Sequence, residues 1–165
     1  MGEADNPFQP LLDEHEDFVE KLVELEATLD EMIRTQEASE GNREILDESV
    51  RFFEEELLPH FAKEEEVVLP PLEAAIGRFG SLVNVVGYEH EEIRREIRKF
   101  KDARRELDEA EEPWSVIEEL NRHGIFTYQF LWDHFRKEKM SLFPTAMERL
   151  SPEELQAIRA KLARA

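Results

Sequence analysis

The stretches PHFAKEEEVVLPP (59–71) and DHFRKEKMSLFP (133–144) share the phrase His-Phe-x-Lys-Glu, with a proline ten residues after each histidine. On a helix, residues four apart lie about 40° apart around the axis and about 6 Å along it. His60 and Glu64 therefore face one way, and so do His134 and Glu138. The phrase does not repeat alone. EHEDF (14–18) recurs as EHEEI (89–93) at an offset of 75, while His60, Glu64 and Pro70 recur as His134, Glu138 and Pro144 at an offset of 74. The repeating unit is a helical hairpin used twice.

The surrounding pattern is helical throughout. Leu, Glu, Lys, Arg and Ala are abundant and β-branched alternation is rare, which predicts an all-α fold. Leu11, Leu12, His15, Phe18, Val19, Leu22, Leu25 and Leu29 recur at three- and four-residue steps, predicting a first helix over about 10–38. SEGN (39–42) breaks it. A second helix carries Leu46, Phe53, Leu57 and Phe61 to about 69, with a kink expected at Pro59 and a stop at Pro70-Pro71. LEAAIGRFG connects to a third helix, with Val85, Val86, Ile93, Ile97 and Phe100 on its stripe, ending near 110. Pro113 opens a fourth, whose stripe includes Leu120, Phe126, Phe130, Leu131 and Phe135, and Pro144 bends or ends its last turns near 149. Ser151, Pro152 and Glu154 form a capping-box start for a short fifth helix. The expectation is one domain over 1–165: an arm at 1–9, an antiparallel up-down-up-down four-helix bundle at 10–149, and a C-terminal helix at 151–165.

Composition narrows the partners. With 21 Lys and Arg against 40 Asp and Glu, the net charge is −19, which repels nucleic acid and anionic membrane. The acidic, polar start lacks a basic, apolar leader pattern, and the apolar runs are too short to span a bilayer, so a cytoplasmic location is expected. There are no cysteines. Thiolate metal sites, iron–sulfur clusters and cysteine nucleophiles are thereby excluded, and any metal must be held by nitrogen and oxygen.

In the predicted bundle, the beginnings of helices one and three lie at the same end as the finishes of helices two and four. His15, His60, Glu64, His90, His134 and Glu138 then fall in one layer on the core face. Buried ionised groups cost several kcal/mol each unless paired. A bound cation removes that cost. Imidazole with carboxylate suits Fe, Mn, Zn or Cu, and six ligands exceed one closed tetrahedral site, so two metals about 3.5–4 Å apart fit better.

The order His15, His60-x-x-x-Glu64, His90, His134-x-x-x-Glu138 resembles the hemerythrin-like (HHE cation-binding) family over about residues 10–148. That resemblance implies two non-haem Fe ions, with Mn or Zn as possible substitutes. It also implies Glu64 and Glu138 as bridging carboxylates, the four histidines as terminal ligands, and an oxo or hydroxo bridge. The family's oxygen carriers have HxxxH on the third helix and HxxxxD on the fourth, where this chain has Arg94 and Lys139. The chain is closer to bacterial members and to the iron-sensing domain of ubiquitin ligase subunits, which implies sensing or redox handling of O2, NO, peroxide or iron. A di-iron oxidase or peroxidase, or a bundle whose metal serves folding, are the alternatives. The ferritin-like arrangement needs Glu-x-x-His, and Leu12, Leu57, Gly87, Leu120 and Leu131 stand at the required positions instead. No HExxH or phosphate-binding loop occurs. His123, three turns before His134, is expected to be structural. Lys63 and Lys137 read first as exposed charges, with groups behind the ligands or controlling access as the alternative; Glu65, Glu66, Glu91 and Glu92 read as surface, and Tyr88 as a core-edge residue, with an approach to an open coordination position as its alternative.

Overall fold

The computed structural model describes residues 6–78 and 81–164, and these residues are helical with no strand among them. Helix α1 is Gln9–Thr35, α2 spans 40–76, α3 is Leu82–Glu109, α4 spans 114–149, and α5 is Pro152–Arg164. Helix α1 packs against α2 and α4, and α3 packs against α4 and α2, so the long helices enclose a shared interior. That interior has two apolar parts. The larger is built on Leu22, Leu25, Leu29, Leu46, Phe53, Leu57, Phe100, Leu120 and their neighbours. The smaller gathers Phe8, Leu11, Leu72, Val86, Leu142 and Phe143, with Ile158 and Leu162 of α5 closing it.

Several boundaries differ from the sequence expectation. Part of the expected arm, residues 1–5, lies outside the described residues, as do Phe79 and Gly80 of the third connection. Phe8, assigned to the arm, is fully buried and stacks on Phe143 with ring centroids 4.8 Å apart. The stretch SEGN starts α2: the Ser39 N–H donates to Asn42 Oδ1 and the Asn42 N–H to Ser39 Oγ, each at 3.0 Å. This is a capping box with Asn in the role usually taken by Glu. The break falls earlier, at Gln36 with φ 59. In α5 the predicted box is present, with Ser151 and Glu154 bonding reciprocally at 3.1 Å.

Proline does not end either interrupted helix. Each of Pro59, Pro70 and Pro144 stands two residues after a five-residue π-helical segment: Phe53–Leu57, Glu64–Val68 and Glu138–Leu142. In an α-helix the proline ring would collide with the carbonyl four residues back, and that carbonyl would lose its donor. The wider π turn bonds one residue further, as Leu69 N–H to the Glu64 carbonyl and Phe143 N–H to the Glu138 carbonyl. The helices therefore continue, α2 to Ile76 and α4 to Arg149, with all three prolines facing solvent.

The stripe of α4 is also re-phased. Phe126, expected inside, is 39% exposed, and Val85 of α3 is 37% exposed. The buried sequence on α4 is Leu120, Gly124, Thr127, Leu131 and His134. Gly124 permits this, because a Cβ there would lie 2.5 Å from Leu29 Cδ1 and 3.2 Å from Phe100 Cε2. Gly87, also helical, has nothing within 4 Å of such a Cβ. The two glycines predict opposite outcomes. Gly87→Ala should stabilise by about 1 kcal/mol through helix propensity. Gly124→Ala should destabilise, because overpacking of about 1–3 kcal/mol outweighs the same gain. Denaturant titration of both variants checks the signs.

Candidate metal centre

The histidine ligand candidates come from the early turns of α1 and α3 and the later turns of α2 and α4, and packing of these helices brings all six side chains to one place. His60, Glu64, His90, His134 and Glu138 are completely buried, while His15 is 6% exposed. Their ligating atoms form two overlapping groups, each with all atoms within 4.8 Å of one another. One group is His15, His60, Glu64 and Glu138; the other is Glu64, His90, His134 and Glu138. The two glutamates are common to both. The layer lies between the two apolar parts of the core, with Phe61 and Phe135 against its rings.

Distances describe a convergent cluster. His15 Nε2 is 3.0 Å from His60 Nε2 and 3.1 Å from Glu138 Oε1, and His60 Nε2 is 2.5 Å from Glu64 Oε1. His90 Nε2 is 3.8 Å from Glu64 Oε2, and His134 Nε2 is 3.5 Å from Glu138 Oε2. Close approach does not satisfy these atoms. Both carboxylate oxygens of Glu64 and Glu138, with His90 Nε2 and His134 Nε2, are buried without a hydrogen-bond partner. Unpaired buried acceptors are among the costliest features a core can hold. Acceptors aimed at a common interior region fit a cation of borderline hardness.

The outer nitrogens are held by carboxylates that sequence reading missed. His60 Nδ1 donates to Glu14 at 2.7 Å, His134 Nδ1 to Glu89 at 3.0 Å, and His90 Nδ1 to Glu65 at 3.1 Å. Each bond fixes Nδ1 as the protonated nitrogen and leaves Nε2 to face the centre. Lys63 and Lys137, read as exposed, each donate at 2.5 Å, to Glu14 and Glu89 respectively. Glu65, read as surface, also takes a two-pronged bond from Arg94, with Nη1 to Oε2 at 3.0 Å and Nη2 to Oε1 at 2.6 Å. The repeat contained the signal: Glu14 and Glu89 immediately precede His15 and His90 in the two EHE phrases, and Lys63 and Lys137 sit inside the two HFxKE phrases. The phenylalanines of those phrases stack across halves. Phe61 lies on His90 with centroids 4.0 Å apart, and Phe135 on His15 at 4.2 Å.

Other residues stay outside the cluster. His123 bonds Glu96 at 2.7 Å and joins neither group. Tyr88, expected at the core edge, is 63% exposed. Glu66 and Glu91 are exposed, as expected.

Without a cation, protons take over the balancing of charge. Burial by itself would lower the His60 imidazolium, but Glu64, Glu14 and Glu138 outweigh it and push it up to about 9. Burial likewise opposes, and Glu138, Glu89 and Glu64 overcome, a rise of His134 to about 10. Glu65 moves the other way: burial would raise it, yet His90 and Arg94 hold it down at about 2. Raised histidines contribute stability that is complete below pH 6.5 and is lost as pH climbs through about 9 and 10. The Glu65 contribution is present above pH 4.5 and lost as pH falls through about 2. The metal-free protein should therefore be most stable between about pH 4.5 and 6.5 by these groups. Its melting temperature should fall toward pH 10, and thermal denaturation of chelator-treated protein across this range is the check.

No helix among the described residues is long and apolar enough to cross a membrane. A comparison with curated proteins returned no match. The family model for the hemerythrin HHE cation-binding domain matches residues 6–146, a span that includes every residue of the buried His/Glu cluster. The chain belongs to the hemerythrin HHE cation-binding family.

Proposed function

We propose that this protein is a non-haem di-iron domain that binds or senses oxygen or a related small ligand such as nitric oxide or peroxide. The carrying observation is the pair of four-residue groups that share Glu64 and Glu138. In this reading His15 and His60 would hold one iron and His90 and His134 the other, with Glu64 and Glu138 available to both. The helices run up-down-up-down, which accounts for early turns of α1 and α3 meeting late turns of α2 and α4. When bound, iron would supply one-electron chemistry and an affinity for small diatomic or peroxidic ligands.

The protein's own residues have separable tasks. Glu14, Glu65 and Glu89 hold the Nδ1 protons of His60, His90 and His134 and so orient each Nε2 toward the centre. Lys63, Arg94 and Lys137 in turn hold those carboxylates. Phe61 and Phe135 cover imidazole faces and keep bulk water from the layer. Mn or Zn could occupy the same donors, since imidazole and carboxylate accept all three metals.

Elemental analysis of tag-free protein should give about two irons per chain, as expected for two such groups sharing carboxylates. His60→Ala or Glu138→Ala should strongly lower metal content, while His123→Ala should leave it near wild type. Equal retention by all three variants would remove the assignment. Glu89→Gln should weaken metal affinity about 10–100-fold without removing a ligand. Anaerobic titration of the loaded protein with oxygen or nitric oxide, followed optically, then tests the ligand. Steady-state turnover of peroxide with a reductant would favour an enzyme instead.

A further inference from the structure

The internal repeat lets one half of the molecule serve as a control for the other. Most of the environment of His90 has its counterpart around His15, but one feature is inverted. On the His90 side, Arg94 bridges Glu65 and Glu91 and lies over the ring of Phe61, which stacks on the completely buried His90. Applying the repeat offsets, the positions of Arg94 and Glu65 correspond to Val19 and Lys139, and that of Ala62 to Arg136. No ion pair can form between valine and lysine. Among the described residues His15 Nδ1 has no carboxylate partner, and a cavity of about 470 Å³ opens between α1 and α4 beside it.

This cavity has a consistent chemistry. Leu12, Val19, Trp132 and Phe135 make an apolar wall, and Trp132 is left 44% exposed over it. Arg136 and Lys139 stand on the same face of α4, three residues apart and both exposed, and Glu16 across the gap supplies one opposing charge. In a chain of net charge −19, Arg136 and Lys139 have no carboxylate partner among the described residues, although Lys137 between them pairs with Glu89. Cations unpaired in an acidic protein, beside an uncovered apolar surface, complement a ligand that is anionic at one end and apolar at the other.

We propose that the α1–α4 cavity binds a small organic monocarboxylate, its carboxylate between Arg136 and Lys139 and its hydrocarbon part on Leu12, Val19 and Trp132. Such an occupant covers His15, the one member of the buried cluster with any solvent exposure. The site stands on the cavity and its charges, and does not require that the cluster be loaded with metal.

Octanoate is a suitable probe, with octylammonium and 1-octanol as matched controls. Trp114→Phe protein leaves Trp132 as the sole indole, so its fluorescence reports the cavity directly. Octanoate should shift Trp132 emission saturably, and octylammonium should not. Lys139→Glu, which installs the acid found at the matching position of the other half, should weaken octanoate binding at least tenfold, and Arg136→Ala should weaken it as well. Both side chains are exposed, so neither change disturbs the core. Absence of saturation at millimolar octanoate, equal binding of octylammonium, or unchanged affinity in both variants would overturn the proposal. The titrations are run on metal-free and metal-loaded protein with metal content measured in each sample. Octanoate binding to a chain that takes up no iron supports this site and defeats the di-iron reading; iron uptake without octanoate binding does the reverse.

Discussion

Two carboxylates and four imidazoles occupy the middle of a helical core, and most of the remaining structure can be understood as the means of keeping them there. The layer divides the apolar interior, with the Leu22, Leu25 and Phe100 region on one side and the Phe8, Leu72 and Phe143 region on the other. Leucines in those six positions would fold more easily, since each buried ionisable group carries a desolvation cost of several kcal/mol. The six groups offset one another only in part, because six of their atoms remain without hydrogen-bond partners. Unpartnered acceptors gathered at one place in a core are what a cation-binding domain requires.

The cost is contained by a second ring of charges. Carboxylates at Glu14, Glu65 and Glu89 meet the outward nitrogens, and Lys63, Lys137 and Arg94 meet those carboxylates in turn. Charge therefore alternates from the centre outward, and the groups behind the histidines are partly solvated where Glu64 and Glu138 are not. This arrangement also stiffens His60, His90 and His134, whose Nδ1 bonds hold each Nε2 toward the centre. The π turns belong to the same design. Glu64 and Glu138 are the first residues of two of them, so each shared carboxylate sits where the helix widens to pass its proline.

Duplication accounts for the symmetry of the centre, and divergence accounts for its one open side. Phe61 on His90 and Phe135 on His15 are the same contact made twice, as are the bonds from His60 to Glu14 and from His134 to Glu89. The exchange of an arginine–glutamate bridge for Val19 and Lys139 leaves His15 as the member that solvent can reach. Two equivalent halves would give two equivalent sides. Here a difference in surface charge makes the sides distinct.

The helical class, the hairpin repeat and the six members of the cluster were legible in the sequence, because side chains four apart on a helix share a face whatever the helix packs against. The carboxylates behind the histidines were not assigned from sequence, although Glu14 and Glu89 stood next to the repeat's histidines. Each serves a histidine on a different helix, 46 or 45 residues away, and only packing pairs them. Proline was also misread as a terminator of α2, since local rules describe an α-helical clash and not the π turn that relieves it. The phase of α4 depended on a single glycine: Gly124 turned inward and Phe126 outward because Leu29 and Phe100 leave no room for a Cβ. Local periodicity determined which residues could share a face; the tertiary structure decided which faces met, because steric fit and charge pairing between distant helices have no signature in the spacing along one of them.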